Sequence, residues 1–192
     1  MKRHSCHIAV CLAGLLLAGT VAAEDYLIPA GSPGSPAARM RSMNELEPRT
    51  VIYSIPCTIT NSGAYVIISN LYGSSGSDGI TISANDVSLD LNGFSLIGGS
   101  GSHDAITAPV ARERLQVRNG TIKLWGGYAI DGLRVANGKY QDMLVFSNGF
   151  ADSVNAFYVG TNSIVERCVA LNNKFSGISA SEGSKLENCT SR

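Results

Sequence analysis

The stretch "DVSLDLNGFSLIGG", residues 86–99, decides between two folds. Val87, Ser88, Leu89, Asp90 and Leu91 alternate apolar and polar side chains, the period of a half-buried strand. Asn92-Gly93 interrupts them, and Phe94, Ser95 and Leu96 resume the alternation. An Asn-Gly between two such runs is the usual signal of a β-hairpin. It also suits the corner of a coil, because Asn and Gly tolerate left-handed backbone. Recurrence separates the two readings. The dipeptide returns as Asn119-Gly120 after 27 residues and as Asn148-Gly149 after another 29. Hairpin strands pair with each other, whereas a residue that returns once per coil finds its partner one coil away, in parallel.

The rest of the chain carries the same period. "SIVERCVALNNKFSGISASEG" and "SKLENCTSR" align without gaps, so Ser163/Ser184, Val165/Leu186, Glu166/Glu187 and Cys168/Cys189 each stand 21 residues apart. Phe157 and Ile178 keep that interval, and upstream Ile80, Ile106 and Ile130 are spaced by 26 and 24. Short runs rich in Val, Ile, Leu and Thr, with no helical window between them, repeat every 20–30 residues from position 48 onward. That is the signature of a solenoid of β-coils, about five or six here. Coils rise by about 4.8 Å, so like residues stack: aliphatic columns inside, and Asn ladders at the corners. Asn92, Gly93, Asn119 and Gly120 are therefore structural, and Cys168 and Cys189 form one column. Stacked buried thiols suit that column better than a disulfide, whose dihedral parallel side chains rarely reach.

The N-terminus has a different composition. Lys2 and Arg3 precede the apolar run "IAVCLAGLLLAGTVA", and Val21-Ala22-Ala23 places small residues before Glu24. This predicts a signal peptide over 1–23, cleaved near Ala23, and a protein secreted or held in the periplasm or at the cell surface. No other run reaches membrane-spanning length. Cleavage removes two of fifteen basic residues and none of the fifteen acidic ones, leaving a formal charge of −2. Such a balance argues against a nucleic-acid partner. Cys57, Cys168 and Cys189 remain, an odd number that excludes a disulfide-stapled miniature and leaves their redox state open. Residues 24–36, with "GSPGSP", read as a linker, and 37–47, with Met40, Met43 and Leu46 on one stripe, as a short capping helix before the β-helix of 48–192.

Taken together, "LEPRTVIYSIPCTITNSGAYVIISNL", "GITISANDVSLDLNGFSLIG" and "VRNGTIKLWGGYAI" resemble bacterial exported right-handed parallel β-helix repeat proteins of the pectin-lyase-like superfold. The resemblance implies triangular coils of three short strands, an N-terminal cap and export. It implies no single activity, since the superfold hosts lyases, hydrolases, epimerases, tailspikes and adhesins.

A hydrolase of this superfold needs clustered acids, and a pectate lyase needs several carboxylates around Ca²⁺ plus a base. The Asn-Thr-Asp, Asp-Asp, Gly-His-Gly and Arg-Ile-Lys motifs of the polygalacturonases are absent. The best strands turn Ser88, Asp90, Gln116 and Arg118 outward, so Asp90 and Arg118 are the only catalytic candidates and an ion pair is their simplest use. Ser102-His103-Asp104 lacks a positioned nucleophile and reads as a turn. The mature Met, Cys and His residues show no metal-ligand spacing, so no cofactor is expected, Ca²⁺ arising only for a lyase. Trp125 and Tyr128 flank Gly126-Gly127, where an exposed ring would stack on a sugar and a buried one would pack the corner. The expected function is a scaffold or a glycan-binding, adhesive surface for polysaccharide. The alternative is a polysaccharide lyase or glycoside hydrolase of the same superfold whose site is absent or lies beyond this chain. "ENCTSR" stops within a coil, which predicts a fragment of a longer helix. Oligomeric state is not legible.

Overall fold

The computed structural model describes residues 48–150 and 155–192. The signal peptide, linker and capping helix expected over 1–47 lie outside the described residues. β1 (Arg49–Ile52) leads into a first coil of β2 (Cys57–Ile59), β3 (Gly63–Ile67) and β4 (Leu71–Tyr72). The second coil comprises β5 (Ile80–Ile82), β6 (Val87–Asp90) and β7 (Ser95–Ile97). The third has β8 (Ile106–Thr107), β9 (Arg112–Glu113) and the long β10 (Gln116–Lys123), and the fourth has β11 (Ile130–Gly132), β12 (Val135–Ala136) and the long β13 (Lys139–Phe146). β14 (Phe157–Val159), β15 (Ile164–Glu166) and β16 (Val169–Leu171) follow, then β17 (Ile178–Ala180), β18 (Lys185–Glu187) and β19 (Thr190–Ser191).

Every pairing is parallel and joins one coil to the next, which makes a β-solenoid of about five turns with three faces. The first face stacks β2, β5, β8, β11, β14 and β17. The second stacks β1, β3, β6, the first halves of β10 and β13, β15 and β18. The third stacks β4, β7, the second halves of β10 and β13, β16 and β19. No helix occurs among the described residues.

Period-2 alternation now has a direct meaning, because one residue in two points into the solenoid. Ile80, Ile106, Ile130, Phe157 and Ile178 are in register on the first face. Leu89, Val117, Tyr140 and Val165 do the same on the second, and Leu96, Ile122, Val145 and Ala170 on the third. All of these except Ile178 are buried. Truncating one, as in Ile106→Ala, costs about 2–5 kcal/mol through lost transfer and the cavity left behind.

The corners explain Asn92-Gly93. β6 and β7 pair not with each other but with β3 and β4 behind and β10 ahead. Asn92 and Gly93 have φ of 50° and 79°, and Gly93 N–H donates to Asn119 O of the next coil at 2.8 Å. Register continues this left-handed column through Asn119, Asp142, Arg167 and Asn188, with φ between 51° and 58°. Asn148-Gly149 belongs elsewhere, which corrects the third member of the recurrence. It sits just past the next corner, where Leu124, Ser147 and Asn172 are the left-handed residues. There Asn148 is buried and its amide donates to Ile122 O and Phe146 O while accepting from Trp125 N–H at 3.0 Å. A third column, Asp86, Arg114, Asn137, Asn162 and Gly183, lines the corner between the first and second faces.

Bulky residues at positive φ are uncommon, and the two arginines in these columns are held by acids one coil behind. Arg114 meets Asp86 in a two-pronged pair (Nε–Oδ1 2.5 Å, Nη2–Oδ2 3.0 Å), and Arg167 meets Asp142 in the same way (2.7 and 2.9 Å).

Candidate functional site

The second face carries two columns of side chains on its outer side. One runs Ala64, Ser88, Gln116, Lys139, Ile164 and Lys185, and the other runs Val66, Asp90, Arg118, Gln141, Glu166 and Glu187, of which Val66 and Asp90 are covered by their neighbours. Beside the first column lies the left-handed corner with Asp86, Arg114, Asn137 and Asn162. Column and corner together border an open groove of about 420 Å³ that crosses four coils.

The groove is polar and its groups are unspent. Among the described residues, the side chains of Ser88, Gln116, Asn137, Lys139 and Asn162 make no hydrogen bond or ion pair with the rest of the chain. Asp86 is the exception, and Arg114 beside it holds its carboxyl below the usual carboxylate range. Asp86 is neutralised by Arg114, so Lys139 is the free charge of the groove. The set of one hydroxyl, three amides and an ammonium, spaced by coils about 4.8 Å apart, can donate and accept hydrogen bonds along an extended polar chain. The groove is assembled from short pieces of four coils that are far apart in sequence, and the sequence reading missed it.

Asp90 and Arg118 face each other across adjacent coils, next to the groove. Arg118 Nη2 lies 3.0 Å from Asp90 Oδ2, and Arg49 Nη1 reaches the same oxygen at 3.1 Å from the other side. Asp90 Oδ1 accepts from Asn92 N–H at 2.8 Å and Asn119 Nδ2 at 3.3 Å. The carboxylate is buried while the Arg118 side chain is half exposed. Each Asp90 oxygen is thus engaged by donors from its own coil, from the next, or from β1 two strands behind, an arrangement that braces a corner.

The two aromatic candidates part company. Trp125 is fully buried, so no face of its ring is open to a sugar, and the stacking role considered for it has nothing to act through. Its Nε1–H donates to Leu96 O at 3.2 Å. The ring occupies space that only glycine leaves free, since a Cβ on Gly73 would come within 2.4 Å of it. Tyr128 is half-buried on the approach to the first face, its ring 6.1 Å from that of Tyr158 and tilted by 31°.

Cys168 and Cys189 stack as the sequence indicates, and all three described cysteines are free thiols. Cys168 donates to Glu166 O at 3.4 Å, and burial pushes its thiol up to about 12. Burial raises Cys57 as well. Asp104 does more than close the turn its sequence suggests. It is partly buried, accepts from Tyr128 N–H at 2.7 Å, and desolvation pushes its carboxyl up to about 6. Asp78 one coil behind accepts from Asp104 N–H at 3.1 Å, so the two acids perform the same brace on successive coils.

The remaining second-face acids are occupied too. Glu166 accepts from Gln141 Nε2 at 2.7 Å and pairs with Arg167, and Glu187 pairs with Lys185 at 2.6 Å. Among the described residues no group of three His, Cys, Asp or Glu side chains is placed to hold a metal ion, and no helix is long and apolar enough to cross a membrane. Comparison with protein-family models, curated proteins and solved structures gives no match.

Proposed function

We propose that this protein is an exported, right-handed β-helix of the pectin-lyase-like type that serves as a glycan-binding or adhesive surface rather than as an enzyme. The observation that carries this reading is the second-face groove. It presents five polar side chains with no internal partner on successive coils, while the neighbouring carboxylates are tied to arginine, lysine or glutamine. Hydroxyls and amides are the groups that exchange hydrogen bonds with sugar hydroxyls, and Lys139 adds one charge for an acidic substituent. Catalysis by the lyase or hydrolase route calls for carboxylates free to move protons or hold Ca²⁺, and here the second-face carboxylates serve as braces.

The test is a binding screen against neutral and acidic polysaccharides, with product analysis on the same mixtures. The reading predicts retention of at least one polymer, no chain shortening, and weaker retention after Lys139→Glu or Asn137→Ala. Cleavage of a polyuronate in Ca²⁺ would overturn it.

A further inference from the structure

The groove on the second face changes character along its length. Its outer column runs Ser88, Gln116, Lys139 and Ile164 on successive coils, so hydroxyl and amide give way to an ammonium and then to a branched alkyl group. Asn137 stands two residues before Lys139, and Asn162 two residues before Ile164. Both asparagines hold left-handed corners, with φ of 56° and 53°. One end of the groove is therefore bordered by a cation, two amides and an aliphatic side chain, carried by two coils about 4.8 Å apart.

Lys139 lacks the pairing that its counterpart makes. Two coils on, Lys185 occupies the same column and pairs with Glu187, the second residue after it. The second residue after Lys139 is Gln141, whose amide donates to Glu166. Ile164 is 38% exposed in a column that is otherwise polar from Ser88 to Lys185. A lone exposed isoleucine signifies nothing in itself. This one shares the groove with Lys139 and with two amides that have no partner among the described residues.

We infer that this end of the groove selects an acidic glycan carrying N-acyl groups, with a carboxylate on Lys139, the acylamino group on the Asn137 and Asn162 amides, and the acyl methyl against Ile164. The inference rests on the groove being a glycan site and adds which glycan it takes. An acylamino group offers one N–H and one C=O, and carboxamide side chains serve both, accepting through Oδ1 and donating through Nδ2. The methyl group needs no hydrogen bond, and Ile164 is the apolar surface that suits it. Val87, the other apolar side chain of the lining, is buried. A plain uronate would set a hydroxyl against Ile164, and a neutral N-acyl sugar would leave Lys139 without an anion.

Calorimetric titration of the full chain with three tetrasaccharides at one ionic strength tests this. The α2,8-linked tetramer of N-acetylneuraminic acid carries both groups, tetragalacturonate only the acid, and chitotetraose only the N-acyl group. The N-acylated acid should bind about fivefold more tightly than either of the others, the worth of one exposed ion pair or one buried methyl. Lys139→Gln should erase its lead over chitotetraose, and Ile164→Thr its lead over tetragalacturonate. Ile164→Ala takes the place of the threonine variant if thermal melts show that variant unfolded. Equal binding of tetragalacturonate or chitotetraose to the wild type would overturn the inference and leave the glycan reading in place. A lead that survives the Ile164 or the Lys139 substitution would do the same. Binding of none of the three would also overturn it, and the wider polysaccharide screen then decides the glycan reading separately.

Discussion

Arg118 stands one coil beyond Asp90, its Nη2 3.0 Å from Asp90 Oδ2, and the pair is lopsided: the carboxylate is buried and the guanidinium half exposed. Removing the two partners therefore has unequal effects. Asp90→Ala strips Arg49, Arg118, Asn119 and the Asn92 N–H of one shared acceptor, and should cost about 1–3 kcal/mol. Arg118→Ala leaves Asp90 with its other donors and should cost less than about 1 kcal/mol. Urea denaturation of the two variants checks the order, and a larger loss from Arg118→Ala would contradict it.

Asp104 makes stability depend on pH in a definite direction. Its folded pKa of about 6 lies above the value of about 3.9 for an unperturbed aspartate, so the folded state holds the proton more tightly. The contribution is fully present below pH ~4 and is lost as pH rises through about 6. Asp104→Asn keeps an acceptor for Tyr128 N–H and removes the titration. The variant should gain stability relative to wild type between pH 4 and pH 7, by at most about 3 kcal/mol. Paired melts at the two pH values measure it, and a pH-independent difference would count against the assignment.

Trp125 is the only tryptophan in the chain and is enclosed. Native emission should be blue-shifted and insensitive to iodide. Gly73→Ala sets a methyl group against the ring and should raise both emission wavelength and quenching, with a loss of about 1–3 kcal/mol for overpacking. Water-like emission from the native wild type would mean that the corner after the third face, at Leu124, is open.

The three described thiols should differ in reactivity. Cys168 is buried with its pKa raised to about 12, so its thiolate is scarce at neutral pH. Cys57 and Cys189 are only half-buried. Mass-resolved alkylation of the native protein should label Cys168 last, and early labelling there would show that the corner column breathes.

Much of the fold is legible in the sequence because a solenoid repeats its own register. The intervals Ile80/Ile106, Ile106/Ile130 and Phe157/Ile178 are strand pairings, and so is the 21-residue interval of Val165/Leu186 and Glu166/Glu187. The coils differ in length because residues are added at corners, and this is where the reading slips. Asn148-Gly149 has the right chemistry for the Asn92 column, yet Asp142 takes that place, 23 residues after Asn119. Arg114 and Arg167 hold left-handed positions that their residue type does not announce, since the acid that secures each lies one coil behind. Trp125 suits either an exposed or a packed ring in sequence, and Gly73 and Gly79, which face it, decide for the core. The groove is harder still. Ser88, Gln116, Asn137 and Lys139 are ordinary polar residues in sequence and become a site only when stacked.

The central claim is that this stacked row receives a glycan. A titration of labelled protein with the polysaccharide fragment retained in the binding screen, followed by amide and side-chain NMR shifts, tests it most directly. The account predicts shifts that saturate at Ser88, Gln116, Asn137, Lys139 and Asn162 while the first and third faces stay still. Saturating shifts centred on either of those faces, with the second face silent, would contradict it.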